Sequence, residues 1–393
     1  MKVKGFLKDV GGASRVTKLR RETIQAASNV PDPKDPIRAL ADALHPGPES
    51  YRLVSVTDAS PTAKTFRFEP VSGHVPVFQA GQYACFYFTI GESVVTRAYS
   101  ISSAPYEARL EKPFFEITVR KNRPYFVPDY IYSELKIGDE IKVDLPFSAF
   151  HVDTVRDSKT IMGLAGGSGI TPFLSMAREI AHGTLDADLT ILYGSVQHGD
   201  IVCGEELDQI AAACPRVKIV NIMSDDPEWE GEKGFVTEEL IRKYSEGDVT
   251  YFFCGPWPMF FLVQKALKNM GVPDRRFRHE AMMQPANVKQ IPGFPEDQIG
   301  KMHKITVVRG VQKDVIDAKA DEPVAVSLER AGIPIDAHCR GGECGYCRAQ
   351  LLSGNIFVSP LGDGRRRMDK EMGWFHSCSA FPTSDLEIKI PIL

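Results

Sequence analysis

From residue 51 onward the chain alternates apolar and polar residues in short runs, at 51–57, 64–68, 82–90, 95–102, 114–120 and 140–145, each bounded by turn residues. Period-two alternation of this kind predicts strands with one buried face, and six in succession predict a small antiparallel barrel. Past residue 157 the pattern changes. Apolar runs at 160–165, 189–194, 217–223 and 249–254 alternate with helical stretches at 171–182, 204–213, 235–243 and 257–270. That order predicts a parallel sheet with helices on both faces. Residues 284–301 are polar and punctuated by Pro285, Pro292 and Pro295, as an interdomain linker would be. The N-terminal stretch is basic, then rich in turn residues at 31–33, then helical at about 36–44, where Ile37, Leu40, Ala41 and Leu44 share a face. The expected organisation is an extension at 1–48 of open role, a barrel at 49–156, an α/β domain at 157–283, the linker, and a last domain at 302–393.

Composition adds bounds. With 393 residues, 43% hydrophobic and 25% charged, several ordinary cores are available and disorder is not expected. A net charge of −4, with no long basic stripe interleaved with aromatics, argues against nucleic acid as a partner. The most apolar stretch, 251–263, is short and broken by Gly255, Pro256 and Pro258, so no membrane span is expected. No secretory signal is apparent at the basic start, and Cys85, Cys203, Cys214 and Cys254 follow no framework spacing. A soluble protein of the reducing cytoplasm is the expectation.

The strongest chemical signal lies near the end. Cys339, Cys344 and Cys347 form a C-x4-C-x2-C run, with Cys378 following after thirty intervening residues, which is the plant-type spacing for a [2Fe–2S] cluster. Gly341, Gly342 and Gly345 let backbone N–H groups turn toward the sulfurs. A structural zinc site is the alternative, but it usually arrives as two short pairs, and only one is present. Residues 302–393 resemble a plant-type ferredoxin domain, and the resemblance implies all four cysteines as ligands in an α+β β-grasp fold.

Three further motifs occur in order: Arg97-Ala98-Tyr99-Ser100, the glycine-rich turn 166–172, and Cys254-Gly255-Pro256-Trp257-Pro258-Met259. Together they resemble the ferredoxin–NAD(P)H reductase superfamily over residues 50–283. With the ferredoxin domain attached, the chain is similar to three-part reductases of the phthalate dioxygenase reductase type. The fold class implied is multidomain: an antiparallel β-barrel for flavin, an α/β parallel-sheet domain for nucleotide, and the ferredoxin domain. The resemblance implies flavin contacts from Arg97, Tyr99 and Ser100, then from Val119, Arg120, Phe126, Val127 and Pro128. The last three depart from the family, because proline removes a donor where the flavin pyrophosphate would sit. FAD is the expected flavin, with FMN as alternative.

Gly166, Gly167, Ser168 and Gly169 follow a strand and open a helix, so backbone N–H groups face an anion there, with Thr171 placed to cap and Pro172 in the first turn. On the ribose side, Ser224 is followed by Asp225 rather than by an arginine, which favours NADH over NADPH. Cys254, Gly255, Pro256 and Met259 close a strand at the end where open α/β sheets bind ligands, and the family places this cysteine beside the nicotinamide. A buried strand-end thiol is the plainer reading of Cys254. Tyr99, Ser100, Cys254 and Glu280 are the candidate catalytic residues, Glu280 by alignment with a glutamate that follows the last strand in relatives. The implied activity is an NADH:acceptor oxidoreductase that passes electrons through flavin and cluster to a protein acceptor, an oxygenase or demethylase component, with the loop 340–346 presented to it. Reverse flow to NAD, direct reduction of a small molecule, and a redox-sensing subunit without catalysis are the alternatives.

Overall fold

The computed structural model describes residues 6–27, 35–37, 39–40, 47–121 and 126–391. Residues 1–46 form a unit of their own. It contains a helix absent from the expectations, α1 (Phe6–Ala26), whose Val16, Leu19 and Ile24 are exposed. Its apolar residues make no clean stripe, so periodicity could not mark it. Of the helix expected at 36–44, residues 36, 37, 39 and 40 are helical and the rest fall outside the described residues.

Six strands follow: β1 (Glu49–Ser60), β2 (Ala63–Pro70), β3 (Tyr83–Ile90), β4 (Ser93–Ser100), β5 (Phe115–Arg120) and β6 (Glu140–Phe147). They form one antiparallel sheet in the order β4-β3-β6-β1-β2-β5, and a bridge between Ile101 and Ile117 ties the β4 side back to β5. Alternate residues such as Leu53, Phe66, Phe68, Phe86, Phe88 and Phe115 fill its interior, as period-two patterning requires. The short helix α2 (Phe126–Ser133) plugs one end, with Val127 and Ile131, four apart on one face, in the barrel core.

The second body is a parallel sheet of β7 (Thr160–Gly166), β8 (Asp188–Ser195), β9 (Val217–Met223), β10 (Glu232–Lys233), β11 (Val249–Cys254) and β12 (Phe277–His279), ordered β10-β9-β8-β7-β11-β12. Helices α3 (Thr171–His182), α4 (Gly204–Ala213), α5 (Glu238–Tyr244) and α6 (Trp257–Asn269) provide its crossovers. Separate cores lie against its two faces, one around Phe173 and Phe252, the other around Leu164 and Phe253. The chain winds outward from β7 in both directions, so β7 and β11 flank the switch point where ligands of open sheets bind. Barrel and sheet are joined by Arg178, whose Nη1 donates to Glu107 at 3.1 Å and Glu116 at 2.9 Å while Nε reaches Glu206 at 2.5 Å.

The last body is a mixed sheet ordered β14-β13-β19-β15-β17, from β13 (Met302–Arg309), β14 (Gln312–Lys319), β15 (Arg348–Ser353), β17 (Trp374–His376) and β19 (Leu386–Lys389). Parallel pairing of β13 with β19, antiparallel pairing elsewhere, and the helix α7 (Val324–Arg330) make this the β-grasp fold. A small two-stranded sheet joins β16 (Ile356–Val358) to β18 (Ala380–Pro382). The stretch expected as a polar linker is partly packed: Val288, Ile291 and Phe294 form a core with Leu361 and Phe381. Among the described residues, no helix is long and apolar enough to cross a membrane.

Candidate functional site

A cavity of about 830 Å³ lies where the three bodies meet. The barrel contributes Tyr83, Tyr99, Ser100, Thr118, Val119 and Arg120; the parallel sheet contributes the C-terminal ends of β7, β8 and β11; the ferredoxin body contributes His338, Cys339 and Arg340. Tyr99 packs edge-on against Phe86 at 5.8 Å, and burial pushes its phenol up, so it stays neutral. Arg97 does not line the cavity. It packs beside Arg340, its Nη1 donating to Thr96 O at 2.7 Å, and burial together with Arg340 brings it down to about 10.

Arg120 does reach the cavity, and it is held there. Its Nη2 donates to Asp200 Oδ2 at 2.5 Å and its Nε to Thr62 Oγ1 at 2.9 Å. Thr62 and Ser60 hydroxyls donate to the same carboxylate. Burial alone would raise Asp200, but these donors outweigh it and hold the carboxyl below its usual range. Asp200 and Thr62 escaped the sequence reading because no motif joins residues 58 and 80 positions from Arg120. Of the turn that departs from the family, Pro128 lines the cavity, Val127 is buried in the barrel core, and Phe126 is 62% exposed.

On the sheet side, Gly166, Gly167, Ser168, Gly169 and Thr171 line the cavity, and Pro172 is buried within α3. Two glycines are required by space. A Cβ on Gly166 would sit 2.7 Å from Met259 Sδ, and one on Gly169 would sit 2.5 Å from the Cys254 carbonyl carbon and closer still to its oxygen. Thr171 does not cap the helix as expected. Residues 167–170 form a tight turn, Ile170 takes the cap position without a side-chain bond, and Thr171 Oγ1 donates back to Ser168 O at 3.1 Å. The backbone donors at the start of α3 are left for an anion.

Cys254, Gly255, Pro256 and Met259 face this turn across the β7–β11 pair, where Ala165 stands opposite Cys254. Burial pushes the Cys254 thiol up, so it is a neutral group and not a nucleophile. Ser224 lines the cavity; Asp225 is exposed at its rim, with its N–H on Val196 O. Glu280 is also in the wall. Its Oε1 accepts from Ser148 Oγ at 3.1 Å and from Ala281 N at 3.0 Å, while Oε2 is buried without a partner. Burial pushes this carboxyl up to about 8.

Only one cluster cysteine, Cys339, lines the cavity. Its Sγ accepts from the N–H groups of Gly341 and Cys344, both at 3.4 Å, and Cys347 Sγ lies 3.2 Å from Cys378 Sγ. Cys339 also meets the side chains of Cys344 and Cys378, so the four cysteines of the motif gather in one place, which suits a two-iron cluster. Gly342 and Gly345 take φ of +86° and +82°, and a Cβ on Gly342 would sit 2.5 Å from Ser379 Oγ. The loop 340–346 is not presented to solvent as a whole: Arg340, Gly341 and Gly342 are buried, whereas Cys344 and Tyr346 are exposed. Burial of Arg340 by the barrel could not be read from spacing. His338 stacks on Tyr346 at 4.0 Å and meets Phe147 of the barrel edge-on at 4.4 Å. Thus Cys339 looks toward the cavity and Cys344 toward solvent.

Comparison with known proteins agrees with this geometry. Residues 164–265 match the family described as Oxidoreductase NAD-binding domain, and residues 309–383 match the 2Fe-2S iron-sulfur cluster binding domain. The glycine betaine monooxygenase reductase subunit of Chromohalobacter salexigens is 27% identical over 360 residues, covering 87% of this chain and 95% of that protein. NADH-cytochrome b5 reductase 1 of Neosartorya fischeri is 31% identical over 241 residues, covering 58% of this chain and 76% of the relative. The solved structure of phthalate dioxygenase reductase superposes with a TM-score of 0.64 at 20% identity, covering 88% of this chain and 98% of that one, and shares its fold.

Proposed function

We propose that this chain, which belongs to the ferredoxin–NAD(P)H reductase superfamily and carries a C-terminal [2Fe–2S] domain, is an NADH-dependent iron–sulfur flavoprotein reductase that passes electrons from NADH through FAD and the cluster to a protein acceptor. The observation that carries the reading is the single cavity shared by the strand-end glycines, Tyr99 and Ser100, and Cys339. Its relatives include a reductase subunit of a monooxygenase, and the acceptor we favour is an oxygenase or demethylase component.

When bound, NADH, FAD and the cluster supply the hydride and one-electron chemistry. The chain's own residues bind and orient them. The backbone donors of Gly167, Ser168 and Gly169 offer the nucleotide phosphates a helix N-terminus. Ser224 and Asp225 suit a ribose with a free 2′-hydroxyl, and the Asp225 charge repels a 2′-phosphate. Tyr99 offers an aromatic face and Ser100 a hydroxyl to the flavin ring. Arg120, held by Asp200, lines the cavity where Arg97 does not, and would be the positive charge available to the flavin phosphate. Neutral Cys254 would lie beside the nicotinamide and help exclude water from it. Glu280 holds a proton at the cavity wall on its unpartnered Oε2. Cys339, Cys344, Cys347 and Cys378 hold the cluster.

Anaerobic titration of the cofactor-loaded protein tests this. NADH is expected to bleach the flavin and then the iron–sulfur absorbance, with NADPH much less effective; no bleaching by either nucleotide would overturn the reading.

A further inference from the structure

Arg340 follows the first cluster cysteine directly, yet only 6% of it is exposed, and its φ of +53° is unusual outside glycine. Its guanidinium has two sets of partners. Within the ferredoxin body, Nη1 and Nη2 donate to the two carboxylate oxygens of Glu329 on α7. Across the domain boundary, Nε donates to Thr96 O at 2.7 Å and Nη2 to Thr96 Oγ1 at 3.1 Å. The same Thr96 hydroxyl donates to Ala337 O at 2.5 Å, and Ser93 Oγ donates to Glu329 O at 2.6 Å. Thr96 and Ser93 lie on β4, the strand that turns Ala98, Tyr99 and Ser100 into the cavity.

We propose that Arg340, Glu329 and Thr96 form a latch that seats the cluster domain on β4, making Arg340 a positioning residue for electron transfer between flavin and cluster. The proposal rests on the reductase reading. With NADH, flavin and cluster bound, the two electrons of each hydride would have to leave singly through the cluster to the acceptor, the hydride's proton being released to solvent. Such a relay needs Cys339 held at the cavity wall through repeated transfers. The Arg340–Glu329 pair lies inside the ferredoxin body, so it does not drive docking; buried and bidentate, it aims the guanidinium. Docking then satisfies the remaining donors on Thr96. One strand therefore carries both the flavin contacts and the seat of the cluster loop.

Thr96→Val removes the hydroxyl that links Arg340 and Ala337 and leaves the Arg340–Glu329 pair intact. Loss of two hydrogen bonds shifts the docked-to-undocked ratio by about thirtyfold. Amide hydrogen exchange in segments 93–97 and 337–342 of the intact protein, which follows the open population when reclosing is fast, is expected to accelerate by about that factor. In stopped flow, NADH should reduce the flavin of this variant at the wild-type rate while cluster bleaching lags, and Thr96→Ser should restore both readings. Wild-type exchange in both segments, with cluster bleaching in step with the flavin, would overturn the latch. Should Thr96→Val fail to fold, Ser93→Ala deletes one bond from the same seam, with about fivefold faster exchange expected and unchanged exchange as the refuting result. If NADH leaves even the wild-type flavin oxidised, the reductase reading fails, and the exchange comparison still decides the latch.

Discussion

Gly169→Ala is a sharp test of how the nucleotide site is built. The backbone of Gly169 has no left-handed torsion, so its need for glycine is a matter of space alone. A methyl there would lie 2.5 Å from the Cys254 carbonyl carbon and 3.0 Å from Gly255 N, where ordinary contact begins at 3.4 Å. All the nearest atoms are backbone, so no side chain can swing aside. The turn after β7 and the end of β11 must part by roughly 1 Å, although Ala165 and Cys254 are paired one step away. Overpacking against a rigid wall costs about 3 kcal/mol, the upper end for such substitutions. Because the parted segments flank the proposed nucleotide site, a displacement of that size is expected to lower kcat/KM for NADH by about 100-fold. The assay is NADH-dependent ferricyanide reduction alongside a urea midpoint, with visible circular dichroism of the cluster as a check that the ferredoxin body is intact. Gly199→Ala is the control, because a Cβ there meets nothing within 4 Å. If Gly169→Ala matches Gly199→Ala in both kcat/KM and midpoint, the close-approach argument is wrong.

Other consequences are as direct. Glu280 has a folded-state value of about 8 against an ordinary 4.5, so the folded protein holds a proton that the unfolded chain releases; this stabilisation is present below about pH 4.5 and lost as pH rises through 8. In flavin-stripped protein, Glu280→Gln should therefore lose less urea stability than wild type between pH 5 and 8.5, and equal losses would refute the assignment. Cys378→Ala should abolish the iron–sulfur absorbance while leaving flavin content and NADH-driven dye reduction, because Cys378 itself does not line the cavity. Asp225→Arg should raise kcat/KM for NADPH at least tenfold relative to NADH, and an unchanged ratio would show that the 2′ position is read elsewhere.

The elements and the presence of a 2Fe-2S domain were legible in the amino-acid sequence because their signals lie in spacing along the chain. Period-two runs mark strands whose alternate residues enter the barrel, the β7 to α6 alternation marks a parallel sheet, and the C-x4-C-x2-C run marks a cluster-binding loop, each through spacing along the chain. The exceptions were also local in cause. Helix α1 has no apolar stripe to betray it, and the departure at Phe126, Val127 and Pro128 turned out to be a helix start, with Val127 serving the barrel core. Tertiary structure alone decided which charges reach the cavity. Arg120 rather than Arg97 faces the cavity because Asp200, from a different body, pulls it there, and Arg340 turns inward because Thr96 lies 244 residues earlier in the chain yet within hydrogen-bond reach. The raised value of Glu280 likewise comes from burial among three bodies. Charge, burial and hydrogen bonding depend on what lies opposite a side chain in space, and periodicity carries no information about that.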